Sequence, residues 1–211
     1  MDKPVIIFGA GSIGRSAMEI FNSNKVLVYG FLDDDESLQG TEIDDVAILG
    51  TTDNESMLDI IGKDCEAFVA VDENELRKSI VETLNTSRKS MPVNAIHSSS
   101  IMAETASIGH GNFINAGVIL GAGASIGNHC LLHSKVVIDH EAKLGDYVQV
   151  GVGANINAGV VIEDEVFIGS GVTIVSGIKI GKGARIGAGS VVVEHVKENA
   201  VLFGNPASEI K

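Results

Sequence analysis

Positive charge, aromatic side chains and cysteine are all scarce in this 211-residue chain. It has 15 Lys and Arg against 28 Asp and Glu, and its formal net charge is −13 at pH 7. This balance argues against a surface for nucleic acid or anionic membranes, because both partners require positive potential. No apolar run approaches the length of a membrane span, and the first residues lack a secretory or transit signature. The sequence therefore predicts a cytoplasmic protein that neither binds nucleic acid nor inserts into a membrane.

The two cysteines, Cys65 and Cys130, are too few for a disulfide framework or a zinc cluster. There is no Trp and only 4% of the residues are aromatic, so the 45% hydrophobic content predicts an aliphatic core. The 25 glycines indicate a backbone with many turns.

Residues 1–93 have the alternating strands and helices of an α/β, Rossmann-like domain. Val5–Phe8 is a continuous apolar run, typical of a strand buried on both faces. A glycine turn follows it, with Gly9, Gly11 and Gly14 spaced as Gly-x-Gly-x-x-Gly. Further elements are predicted as a helix over 15–21, a strand over 26–32, a strand over 68–71 and a helix over 73–84.

The glycine turn and Asp33, which ends the second strand, fit the dinucleotide-binding fingerprint. Such glycines allow a phosphate to approach the N-terminus of the helix closely. Residues 1–93 supply only one mononucleotide-binding half, so a single nucleotide is favoured over NAD. The alternative is a βαβ unit whose glycines serve the turns alone.

Residues 94–195 follow a different period. From Ile96 to Val192 an aliphatic residue or methionine occupies every sixth position, without one insertion. Neither a helix period of 3.6 nor simple strand alternation maintains such a step. A hexapeptide period predicts a three-sided parallel β-helix, whose coils are left-handed, in which each hexapeptide supplies one face and one corner. A β-sandwich with accidental spacing is the weaker alternative.

One corner of this predicted coil carries a histidine beside a glutamate, His140 and Glu141, between small residues such as Ala122 and Ala158. Small residues let an extended ligand lie against the backbone. A histidine in such a groove is a candidate general base, because it titrates near neutral pH. The alternative is a solvated surface histidine. His129 and His133 fall elsewhere on the coil, so no metal site is predicted.

Three segments, Phe31–Asp34, Val137–Glu141 and Val201–Ala207, carry a family resemblance. In their order along the chain they resemble the NeuD/PglD-type sugar acyltransferases, bacterial enzymes that acetylate nucleotide-linked amino sugars or sialic acids. The resemblance implies a homotrimer of left-handed β-helices, with acetyl-CoA in the cleft between two of them. It also implies that the N-terminal domain binds the nucleotide of the acceptor. Residues 196–211 are expected to form a C-terminal tail.

The resemblance also assigns roles to individual residues. His140 matches the general base and Glu141 the carboxylate that supports it. Coenzyme A contacts are implied at Gln149, Ala158, Ser170 and Ala188. Acceptor contacts are implied at Gly11, Ser12, Ile13, Asp33, Asp34 and Asp72. The family often has histidine where Gln149 and Ile13 stand, and glycine where Asp72 stands.

The resulting hypothesis is acetyl transfer from acetyl-CoA, as co-substrate, to an amino or hydroxyl group of a nucleotide-linked sugar, without a metal. Two alternatives remain open from the sequence. One is a non-catalytic trimeric sensor of nucleotides or sugars on the same scaffold. The other is a purely structural β-helix, which would leave His140 and the columns of small residues unexplained.

Overall fold

A computed structural model describes residues 3–210 of the chain, which divides into two compact units between Ser98 and Ser99. The division lies five residues beyond the predicted boundary at 93 and 94. No helix within residues 3–210 is both long and apolar enough to cross a membrane.

The first unit is an α/β domain. Its strands are β1 (Val5–Phe8), β2 (Val28–Leu32), β3 (Glu42–Ile43), β4 (Val46–Gly50), β5 (Glu66–Val69) and β6 (Ala95–Ile96). Its helices are α1 (Ser12–Ser23), α2 (Glu55–Leu58) and α3 (Asn74–Thr83), with a 3₁₀ turn at Glu36–Leu38 and a π-helical turn at Leu84–Arg88. Five strands form one sheet in the order β3-β4-β2-β1-β5, in which only β3 runs antiparallel to its neighbour.

The apolar pattern explains the centre of this sheet. All four residues of β1 are buried, and the strand pairs in parallel with β2 and β5. One face of α1 is also buried, including Ile13, Ala17 and Ile20. The predicted strand and helix elements are all present, with ends that differ by up to three residues. The β3–β4 hairpin and α2 were not predicted.

The second unit is a parallel β-helix with three faces. Face 1 contains β7 (Ile101–Met102), β10 (Ile119–Leu120), β13 (Val137–Ile138), β16 (Asn155–Ile156), β19 (Thr173–Ile174) and β22 (Val191–Val192). Face 2 contains β8 (Ser107–Ile108), β11 (Ser125–Ile126), β14 (Lys143–Leu144), β17 (Val161–Ile162) and β20 (Lys179–Ile180). Face 3 contains β9 (Phe113–Ile114), β12 (Leu131–Leu132), β15 (Gln149–Val150), β18 (Phe167–Ile168), β21 (Arg185–Ile186), β23 (Val201–Gly204) and β24 (Ala207–Glu209).

Residues 18 positions apart stack on one another, so three hexapeptides make one coil. Ile119 pairs with Val137, and Leu120 with Ile138. The second residue of most strands points inward, and Ile138, Ile156 and Ile174 are fully buried. The hexapeptide periodicity therefore predicted the register as well as the architecture.

The corners differ in how they turn. Most corner glycines have a positive φ, and a few side chains, including His129 and Glu141, adopt the same left-handed conformation. At the corner after face 2, an Asn or Asp side chain of one coil accepts a backbone N–H of the coil before it in several successive coils. Asp146 Oδ1 accepts from the Asn128 backbone N–H at 2.7 Å, and Asp164 Oδ1 from that of Asp146 at 2.9 Å.

The segment predicted as a C-terminal tail continues the coil. Val196 forms a parallel bridge with Ile180, and β23 pairs in parallel with β21. The final strand, β24, then turns back and runs antiparallel to β23.

Candidate active site

The corners after the face 1 strands form a column around His140, which we call the histidine column: Ala122, His140, Ala158 and Ser176. Backbone hydrogen bonds join its members. The Glu141 N–H donates to the Ala122 oxygen at 2.9 Å, and the Gly159 N–H donates to the His140 oxygen at 3.0 Å. The two alanines place no bulky side chain next to the imidazole, which is 60% exposed. The ring is therefore open to a ligand lying along this column.

Asp139 is the acid that contacts the imidazole. Its Oδ1 lies 3.0 Å from His140 Nδ1, and it also accepts the His140 backbone N–H at 2.7 Å. The backbone hydrogen bond is the larger cause, and the ring contact the second, of a pKa of Asp139 below its usual value. A carboxylate at Nδ1 favours the tautomer with its proton there, which leaves Nε2 as the free base.

The structure differs here from the prediction that Glu141 supports the histidine, because the acid in contact with the ring is Asp139. Glu141 takes the left-handed corner conformation, with φ +58°, and its side chain passes beside Gly123 of the preceding coil. The shorter Asp139 stands before the corner, where it reaches both the backbone and the ring of His140. An Asx residue directly preceding a turn was the sequence signal that could have identified it.

Gly121 lies directly against the corner that carries the histidine. A Cβ atom at this position would lie 2.6 Å from the His140 backbone nitrogen and 2.8 Å from the Asp139 carbonyl carbon. Only glycine leaves room for the two coils at their present spacing. Gly121 therefore sets the position of Asp139 and His140 along the axis of the β-helix.

The residues predicted to contact coenzyme A are split within one chain. Ala158 lies in the histidine column, one coil beyond His140. Ser170 and Ala188 belong to the column after face 3, which we call the serine column: Ala116, Ser134, Val152, Ser170 and Ala188. There the Gly189 N–H donates to the Ser170 oxygen at 2.8 Å. Gln149 is half-buried on β15 of face 3. One chain thus places these residues along two different corners and one face.

In the first unit, the acidic residues predicted to bind the acceptor hold loops together. Asp33 Oδ2 accepts the Ala10 N–H at 2.7 Å, and Asp33 Oδ1 accepts the Asp35 N–H at 2.9 Å. The Asp34 carboxylate accepts both the backbone N–H and the hydroxyl of Thr52, at 2.8 and 2.9 Å. Asp33 therefore clamps the glycine turn to the end of β2, and Asp34 ties that end to the loop after β4.

The other predicted acceptor residues surround the start of α1. Gly11 stands before the helix, and a Cβ there would meet nothing within 4 Å, so the space in front of it is open. The first turn of α1, which begins at Ser12, contains no acidic residue and no side-chain cap. Ile13 is 7% exposed, so its side chain packs in the core and only its backbone faces this space. Asp72 is exposed on the loop after β5.

Histidine and acidic side chains elsewhere do not gather as metal ligands. Within residues 3–210, no group of three or more His, Cys, Asp or Glu side chains is placed to hold a metal ion. His129 is buried and packs against Tyr147, with ring centroids 5.0 Å apart.

Two segments of the chain match known protein families. Residues 4–84 match the PglD N-terminal domain, and residues 159–194 match the bacterial transferase hexapeptide (six repeats). No curated protein sequence matches the chain significantly.

Solved structures match the chain over its whole length. A variant of perosamine N-acetyltransferase from Caulobacter crescentus, in complex with CoA and GDP-perosamine, is 25% identical with a TM-score of 0.91, covering 100% of this chain and 98% of that one. The acetyltransferase domain of PglB from Neisseria gonorrhoeae, in complex with acetyl coenzyme A, is also 25% identical with a TM-score of 0.91, covering 100% of both chains. WeeI from Acinetobacter baumannii, 22% identical with a TM-score of 0.85 and covering 98% and 99%, shares the fold. The predicted α/β domain followed by a left-handed β-helix is confirmed.

Proposed function

We propose, from the premise that this chain belongs to the NeuD/PglD-type sugar acyltransferases, that it transfers an acetyl group from acetyl-CoA to an amino or hydroxyl group of a nucleotide-linked sugar. The premise rests on the PglD-type N-terminal domain, the hexapeptide repeats and the whole-chain similarity to sugar acetyltransferases. Structures of those relatives contain CoA, acetyl coenzyme A and GDP-perosamine, which supports the same classes of substrate here.

His140 is the proposed general base. With Nδ1 held by Asp139, Nε2 takes a proton from the acceptor as its nitrogen or oxygen attacks the thioester carbonyl carbon. A C–N or C–O bond forms, the C–S bond breaks, and the sulfur of CoA leaves as a thiolate that takes the proton back from the imidazolium. The Asp139 carboxylate stabilises that imidazolium, in the role first expected for Glu141. The contact between Asp139 and His140, in a column of small residues, is the observation that carries this proposal.

The nucleotide of the acceptor is proposed to bind at the start of α1. The N–H groups of a first helical turn attract phosphate, and no acidic side chain of this turn competes with it. Gly11, Ser12 and the backbone of Ile13 supply the contacts. Asp33 and Asp34 contribute by shaping the loops around them, through the hydrogen bonds that their carboxylates accept.

A homotrimer is proposed because one chain does not bring the predicted CoA contacts and His140 together in one site. The histidine column and the serine column follow different faces of the β-helix, so Ser170 and Ala188 do not stack with His140. CoA is long, and a second wall from a neighbouring chain makes a cleft where one flat face does not. Three chains of 22.0 kDa give a particle of about 66 kDa.

The direct test is turnover of acetyl-CoA, measured as free thiol released, with UDP-, GDP- and CMP-linked amino sugars as acceptors. We expect thiol release and an acetylated sugar with one of these classes. His140→Ala should keep its CoA affinity and lose about 10²–10⁴-fold in kcat. Binding of nucleotide without turnover by the wild type would instead identify a non-catalytic sensor. Failure to bind CoA would reject the acetyltransferase, and failure to bind both CoA and nucleotide-linked sugars would reject both functions.

A further inference from the structure

Arg77, on the first turns of α3, is the largest side chain among the fully buried residues, with 0% exposure. Burying a guanidinium is costly unless its N–H groups find acceptors. A charged side chain in such a place therefore has partners that it holds firmly, and those partners show which part of the fold it serves.

Three of its partners lie between the end of β5 and the first residue of α3. Arg77 Nη1 donates to the Val71 oxygen at 2.7 Å and to the Asp72 oxygen at 3.0 Å, while Nη2 donates to Asn74 Oδ1. One planar group thus holds three acceptors between Val71 and Asn74. A lysine ammonium, with a single nitrogen, cannot reproduce a fork that spans these acceptors.

This loop borders the glycine turn. A Cβ at Gly9 would lie 2.8 Å from the Ala70 oxygen and 3.3 Å from Val71 Cγ2, so the two segments are in close contact. The glycine turn is thus in contact with a segment of backbone that Arg77 holds. Because each peptide unit is planar and trans, carbonyls drawn towards Arg77 direct the N–H groups of the same units away from it.

The charge of Arg77 also acts on this loop. Glu73 caps α3 by accepting the N–H groups of Glu75 and Leu76, and these hydrogen bonds lower its pKa, with a smaller contribution from the charge of Arg77.

We infer that Arg77 is a positioning residue for the acceptor: it holds the Val71–Asn74 loop against the glycine turn and thereby sets affinity for the diphosphate of a nucleotide-linked sugar. The inference rests on the proposed function. It assigns no contact between Arg77 and the acceptor, because the guanidinium is enclosed by the loop.

The test compares Arg77→Lys and Asn74→Ala with Lys78→Gln, a control that removes a charge from the same helix at a residue paired with Glu75. Binding of UDP, GDP and CoA is measured by calorimetry, and KM and kcat with the acceptor that the wild type acetylates. We expect both loop variants to weaken nucleoside diphosphate binding and raise acceptor KM about tenfold or more, with kcat and CoA affinity within about twofold of wild type. The control should resemble wild type throughout.

Asn74→Ala keeps the test decisive if Arg77→Lys does not fold, because it removes one acceptor at the end of the loop and leaves the buried charge in place. If Arg77→Lys or Asn74→Ala folds and keeps the acceptor KM of the wild type, this inference is overturned and the proposed function is not. A loss of CoA affinity as large as the loss of nucleotide affinity overturns it in the same way. A wild-type protein that binds neither diphosphate and acetylates no nucleotide-linked sugar overturns the proposed acceptor class, and the inference with it.

Discussion

Replacing Gly121 with alanine perturbs the position of the proposed base without touching its chemistry. The added Cβ would lie 2.6 Å from the His140 backbone nitrogen. Ordinary contacts begin at 3.4 Å, so the two coils must move apart by about 0.8 Å. A displacement of about 1 Å in a catalytic group can cost about 10²-fold in rate. We therefore expect kcat to fall about 10–100-fold in Gly121→Ala, while CoA still binds.

Gly127→Ala is the matched control. A Cβ at Gly127 would lie 2.6 Å from the Gly145 carbonyl carbon and closer still to Asp146 Oδ1, an overlap at least as large at a corner outside the proposed site. Both variants should lose about 1–3 kcal/mol of stability from overpacking. Thermal melting, calorimetry with CoA and steady-state thiol release separate stability from activity. Equal kcat values in the two variants would refute the idea that Gly121 sets the position of His140.

Three further predictions concern the same corner and the assembly. Asp139→Asn should lower kcat about tenfold, less than loss of the base itself because both groups are exposed and screened by solvent, whereas Glu141→Gln should stay within about twofold; the reverse order would restore Glu141 as the supporting carboxylate. The lowered pKa of Asp139 means that its carboxylate stays ionised at a pH where an ordinary Asp is already protonated, so its support is lost only as pH falls through the lowered value; an NMR titration should therefore find the midpoint of Asp139 below the usual Asp value of about 3.9. Mixed oligomers of His140→Ala and Ser170→Trp chains should recover activity if the two columns of one site come from different chains, and an active monomer in light scattering contradicts the trimer.

The second unit was predictable because its sequence pattern repeats with a fixed period. Each coil repeats the same inward position, so Ile138 and Ile156 could be assigned to the core and to adjacent coils from spacing alone. The first unit was less predictable away from its buried strands. β4 has only Ile48 buried in its centre, and neither it nor the four-residue α2 has a periodic pattern long enough to stand out.

The site shows the same division. The sequence located the His140 corner, because an isolated histidine among small residues is visible in the coil register. Glu141 was named as the supporting acid, and Asp139 was missed, because the choice depends on side-chain direction: Asp139 turns to the ring, and Glu141 lies beside Gly123. For the same reason Asp33 was expected to face a ligand, although its carboxylate holds the glycine turn.

The reversed strand at the end of face 3 has a consequence for how long the β-helix can become. A stack of parallel coils has no natural end, since the last coil offers the same row of N–H and C=O groups that each earlier coil offered to the next. On this face β24 pairs with β23 in the opposite direction, so the edge presented to a further coil no longer has the pattern of a parallel ladder. The reversed pairing of β24 thus also discourages end-to-end growth into fibres on this face.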